Sequence, residues 1–101
     1  MSIIISFFTG LFFANGIPHF VNGISGKDFH NPQPHKFFQN VPSPLFNVIW
    51  GLLNFSLAVL LFSHIEEFRF GINLDSLAMA FGFIFASVGL SVYFKNRKKV
   101  Y

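Results

Sequence analysis

The charged side chains of this chain are confined to three short clusters, and this pattern constrains the fold more than any other feature. No Asp, Glu, Lys or Arg occurs in residues 1–26, 37–65 or 76–94. Because a helix needs roughly 20 apolar residues to cross about 30 Å of hydrocarbon, each uncharged window is long enough to span a bilayer. Ionic side chains are costly in hydrocarbon, so the gaps between the clusters indicate an integral membrane protein.

Composition agrees with this reading and narrows the fold class. Hydrophobic residues make up 52% of the 101 positions, which is more apolar surface than a soluble domain of this size can cover. The prediction is an all-α helical bundle forming a single membrane domain, with three transmembrane helices over about 2–24, 45–64 and 75–94. The chain has no cysteine, which excludes disulfides, thiolate zinc sites and iron–sulfur clusters. No cofactor and no metal site is expected.

The first span is interrupted by polar residues and by Pro18, which lacks an amide donor and collides with the carbonyl of Ala14. A kink is therefore predicted at Pro18. The alternatives for this segment are a full crossing and a re-entrant hairpin. It lacks a basic leading region and a small-residue cleavage motif, so we expect it to be retained rather than removed as a signal peptide.

Residues 25–44 form a proline-rich connection that cannot hold a long helix. Ser43 is the expected N-cap of the second span, with Pro44 at its first helical position. The third span is expected to begin near Asp75, whose carboxylate can cap free amides.

Six of the seven basic residues fall in the first connection and in the C-terminal tail. Three crossings place both of these segments on one side of the membrane, and basic flanks face the cytoplasm. The predicted topology has the N-terminus outside and the C-terminus in the cytoplasm, in a plasma (inner) membrane. The positive charge therefore indicates orientation, and no nucleic-acid partner is expected.

Two spans carry a polar stripe at helical spacing, and these residues are the main candidates for a site. On the first span the stripe lies at i, i+4 and i+7, and the second span repeats this spacing around Gly51. The five stripe residues, here called the polar seam, are Asn15, His19, Asn22, Asn47 and Asn54. Polar side chains in hydrocarbon must be paired, so the two stripes are predicted to face each other.

The favoured interpretation of the polar seam is structural pairing between helices. The functional alternative is a polar pathway or pocket, in which His19 passes a proton, binds a metal or holds a polar ligand. His19 also has a structural alternative, because a histidine beside a proline can satisfy a freed backbone carbonyl.

The third span carries small residues at a spacing that admits a neighbouring helix at close range. This small-residue strip consists of Ala78, Gly82, Ala86 and Gly89.

The turn after the first span is the candidate contact for a lipid headgroup. Its residues are Gly23, Ser25, Gly26 and Lys27. A phosphate-binding P-loop would need glycine in place of Val21 and Ser or Thr in place of Asp28, so that motif is absent. A lipid phosphate can still be met by backbone amides and one cation.

Two segments carry a resemblance to a known family. They are Gly16-Ile17-Pro18-His19-Phe20 and Asn47-Val48-Ile49-Trp50-Gly51-Leu52-Leu53-Asn54. Together they resemble the first half of small bacterial DoxX-like multi-span membrane proteins, which place a His-Phe pair near the end of the first helix and a glycine early in the next. The resemblance covers about half of the chain and implies a bacterial inner-membrane bundle. Such proteins usually have four spans, whereas three are predicted here.

These observations favour a non-catalytic accessory or assembly subunit that associates through the polar seam. The expected partners are membrane lipids and either further copies of the chain or a larger membrane complex. The first alternative is a homo-oligomeric channel or transporter for a small solute or protons. The second is a lipid-headgroup enzyme using His19 and the turn from Gly23 to Lys27; no catalytic residue is otherwise assigned.

Overall fold

The computed structural model describes residues 2–29, 31 and 41–95, and within them the fold is all-α, with no strand. The helices are α1 (Ser2–Ile24), α2 (Ser43–Phe62) and α3 (Leu74–Lys95). Each of the three is long and apolar enough to cross a membrane. The prediction of three such helices is confirmed, while the kink at Pro18 and the insertion into a bilayer stay predictions. The cluster residues Lys36, Arg97, Lys98 and Lys99 lie outside the described residues.

The start of α2 differs from the prediction. Pro42 is the N-cap, in an extended conformation and without a side-chain cap, so the assignment of that role to Ser43 is wrong. The reason is that the carbonyl of Pro42 already accepts the first helical bond, from the amide of Phe46 at 3.0 Å. Ser43 is therefore the first helical residue, and α2 ends at Phe62, before the predicted limit.

The start of α3 is capped by Asn73 and not by Asp75. The Asn73 side-chain oxygen accepts a bond from the Ser76 amide at 2.9 Å, which is the geometry of an N-cap. Asp75 lies inside the first turn, where its negative charge suits the helix dipole. Its carboxylate accepts a hydrogen bond from the Ser2 hydroxyl at 2.9 Å instead.

Helix α1 lies between the other two helices and makes all of the described helix–helix contacts. Within the described residues, no Cα atom of α2 comes within 8 Å of one in α3. The bond from Ser2 to Asp75 joins the starts of α1 and α3, so these helices run parallel. Gly23 lies against Pro44, so α2 runs antiparallel to α1. We call the two ends of the molecule the Ser2 end and the Ile24 end.

Glycines allow α1 to approach both neighbours at backbone distance. A Cβ added at Gly10 would overlap the carbonyl oxygen of Met79, and one added at Gly82 would overlap that of Phe7. On the other face of α1, a Cβ at Gly16 would lie 2.9 Å from the carbonyl oxygen of Gly51. Small residues at such crossings let the helix backbones approach closely, which strengthens the van der Waals packing between them.

Candidate functional site

The polar seam contains a pair of asparagines that join α1 to α2. The Asn15 amide donates to the Asn54 side-chain oxygen at 2.8 Å. Asn54 donates in turn to the Trp50 carbonyl of its own helix at 2.9 Å, which orients its oxygen toward Asn15. At 1.5 Å per residue, Asn15 lies about 14 Å along the axis from the end of α1, near the middle of the helix.

A second pair joins the same helices near the Ile24 end. The Nδ1 atom of His19 lies 3.0 Å from the Asn47 side-chain oxygen. The Asn47 amide donates to the carbonyls of Phe29 and Ser43, at 3.1 and 3.3 Å. Because the Asn47 oxygen can only accept, this network assigns the proton of the neutral imidazole to Nδ1. Both side chains are buried, with Asn47 at 0% and His19 at 5% exposure.

Phe29, in the connection after α1, closes the seam at this end. Its ring packs edge-on against the His19 imidazole, with centroids 5.4 Å apart. It also lies against Phe94 of α3, at 4.7 Å between centroids. Its carbonyl accepts a hydrogen bond from Asn47 of α2, so Phe29 contacts all three helices.

Asn22 is the seam residue that the structure does not bring to α2. Its amide donates to the Pro18 carbonyl of its own helix at 2.8 Å, and its side chain is half-buried. The structure thus joins four of the five seam residues into two pairs, while the Asn22 side chain bonds within α1.

The small-residue strip of α3 contacts α1 through part of its length. Gly82 and Ala86 are buried, and Ala78 is half-buried. Gly89 is exposed, and a Cβ added there would meet no atom outside its own helix within 4 Å. The close neighbour of the strip is therefore α1 of the same chain.

The turn after α1 is a Schellman motif, which caps the helix. The Lys27 amide donates to the Asn22 carbonyl at 2.9 Å, and the Gly26 amide donates to the Gly23 carbonyl at 3.0 Å. Gly26 has φ of 72°, as this motif requires. The Ser25 amide also bonds to helical carbonyls, so the amides of residues 25–27 are all engaged. A headgroup contact here stays a prediction, and it would depend on the Lys27 side chain.

Sequence reasoning missed two contributors to the site. The Phe29 carbonyl had no signal in the sequence, because its role depends on how the connection folds back. The α1 side of the α1–α3 contact had one: Ser6, Gly10 and Ala14 repeat small residues four apart, and all three are buried. The Ser6 hydroxyl is wholly buried and has no hydrogen-bond partner in the described structure.

Comparisons with family models, with curated proteins and with solved structures found no match to this chain. The resemblance to DoxX-like proteins therefore stays a prediction.

The two asparagines of α1 give a matched pair of substitutions. Asn15→Ala removes a bond between helices and is expected to lower the free energy of unfolding by about 1 kcal/mol, whereas Asn22→Ala removes a bond within one helix and is expected to cost less than about 0.5 kcal/mol. Reversible unfolding in mixed micelles measures both. Equal costs would show that the bond between Asn15 and Asn54 contributes nothing specific to the packing of α1 on α2.

Proposed function

We propose that the chain is a small non-catalytic integral membrane protein that serves as an accessory or assembly subunit of a larger complex. The observation that carries the proposal is how few residues of α3 are buried within the chain. Only Gly82 and Ala86 of its 22 residues are buried, and Gly82 lies against Phe7 of α1. The exposed side chains of α3 are mostly apolar, among them Phe81, Ile84 and Val88, and Gly89 permits the close approach of a partner helix.

The polar seam has a supporting role in this proposal. Its two pairs join α1 to α2 within one chain, and association through these residues would require breaking the bonds from Asn15 and His19. The polar seam therefore stabilises the packing of α1 on α2, while α3 is the helix that a partner would contact. The proposed setting is a bacterial inner membrane, with the Ser2 end outside and the Ile24 end at the cytoplasmic face.

Cross-linking from α3 tests the proposal, and the absence of cysteine makes single substitutions clean probes. Gly89→Cys, carrying a photoreactive maleimide, is expected to cross-link to one larger protein that also copurifies in mild detergent at fixed stoichiometry. Leu60→Cys is the matched control, because Leu60 is 56% exposed but lies on α2. It is expected to give no such adduct.

Three other outcomes would contradict the accessory role. Adducts with lipid alone from both positions would show that α3 has no protein partner. A closed homo-oligomer that passes solute or protons, with flux lost in His19→Ala, would favour the channel. Turnover of a lipid headgroup that is lost in Lys27→Ala would favour the enzyme.

A further inference from the structure

An apolar groove lies between α2 and α3 on one side of α1, toward the Ser2 end. Its volume is about 600 Å³. Thr9 and Gly10 of α1 form its floor, and its walls combine small residues, notably Ala58 of α2 and Ala80 of α3, with several phenylalanine rings. The groove exists because the backbones of α2 and α3 stay apart while both pack on α1.

The two hydroxyl groups in the groove are already satisfied by backbone carbonyls. Thr9 donates to Ile5 at 2.8 Å, and Ser76 donates to Arg69 at 2.8 Å. The remaining lining side chains are apolar. An occupant is therefore held by its shape and its apolar surface, which suits a hydrocarbon chain better than a polar ligand.

Aromatic rings bound the groove in depth. Phe13 of α1 reaches both neighbours, with ring centroids 5.4 Å from Phe55 of α2 and 6.0 Å from Phe83 of α3. Toward the Ser2 end, the groove is lined by Phe68 and Phe70, which lie between α2 and α3 and whose ring centroids are 4.8 Å apart. Phe13 lies about 17 Å along the axis from the start of α1, and this distance is close to the thickness of one leaflet in a bilayer about 30 Å thick.

These limits distinguish between the possible occupants. A helix about 10 Å wide that crosses both leaflets would collide with the row formed by Phe55, Phe13 and Phe83. A single hydrocarbon chain needs only one leaflet. The volume equals about 20 groups of the size of a methylene or a water molecule, taking about 30 Å³ for each, which is one acyl chain.

We propose that this groove holds one acyl chain of a glycerophospholipid, in the leaflet where α1 begins. The inference rests on the proposed insertion of the chain into a membrane. It assigns a bound lipid to the subunit as a structural component that fills the gap between α2 and α3.

The test uses the full chain in phosphatidylcholine vesicles that contain a phosphatidylcholine with a diazirine in its acyl chain. After photolysis and peptide mapping, residues 9–13 and 79–83 are expected to carry more label than residues 88–92, and one lipid per chain is expected to survive detergent gel filtration. Ala80→Phe fills the groove and should reduce its labelling to the level of residues 88–92. Val88→Phe adds the same ring to the same helix at a position 58% exposed and outside the groove lining, and should leave groove labelling unchanged.

Each other outcome overturns the inference. Even labelling along α3, or no effect of Ala80→Phe, would mean that the groove holds only exchanging bulk lipid. A disulfide-linked dimer of Ala80→Cys would place a second copy in the groove. Label on no apolar helix at all would also remove the proposed membrane insertion, whereas label confined to the other faces would remove only the groove site.

Discussion

Gly82→Leu is expected to separate α3 from α1 and to lower the free energy of unfolding by about 3 kcal/mol or more. Even the first carbon of the new side chain would overlap the Phe7 carbonyl oxygen, which belongs to backbone and cannot rotate away. The crossing of α1 and α3 has a second close contact of this kind, in which Gly10 of α1 faces the Met79 carbonyl of α3. Reversible unfolding in bicelles, together with a distance between spin labels on the two helices, measures the effect.

Gly89→Leu is the matched control for this substitution. It makes the same change on the same small-residue strip, but the space around Gly89 is open. Leucine favours a helix over glycine by up to about 1 kcal/mol, so this variant is expected to be neutral or slightly more stable. Similar losses in both variants would mean that the close approach of α1 and α3 does not hold the fold together.

Asn47→Ala is expected to lower the free energy of unfolding by about 2–3 kcal/mol, the second largest effect among the variants considered. It removes the acceptor of His19 and the donor to the carbonyls of Phe29 and Ser43, at a position with no solvent exposure. The expected structural consequence is release of the connection, which limited proteolysis after Phe29 would detect.

Ser56→Ala serves as the control on α2. Ser56 is exposed and donates only to the Leu52 carbonyl of its own helix, at 2.8 Å, so a change within about 0.5 kcal/mol is expected. A double-mutant cycle between His19→Ala and Asn47→Ala should give a coupling energy of about 0.6–1.7 kcal/mol. A coupling energy of zero would show that the bond between His19 and Asn47 contributes nothing to the free energy of unfolding.

The asparagine spacings on the first two spans predicted that polar side chains would need partners, because amides in hydrocarbon are costly when unpaired. Which partner each one finds was not predictable from spacing. Asn22 shares the stripe of Asn15 but donates to the Pro18 carbonyl, which lies one turn back in its own helix and within reach of the short amide side chain. Likewise, Gly89 belongs to the same small-residue strip as Gly82, but a Cβ added there would meet no atom of another helix within 4 Å.

The sequence by itself determined the three helices and their limits to within about two residues, because long apolar runs that end at charged clusters are a local property of the chain. The tertiary structure alone decided that α1 is the central helix, that Asn47 holds the Phe29 carbonyl, and that a groove remains between α2 and α3. Those features depend on crossings between distant segments, where close backbone contacts at a few glycines set which faces meet.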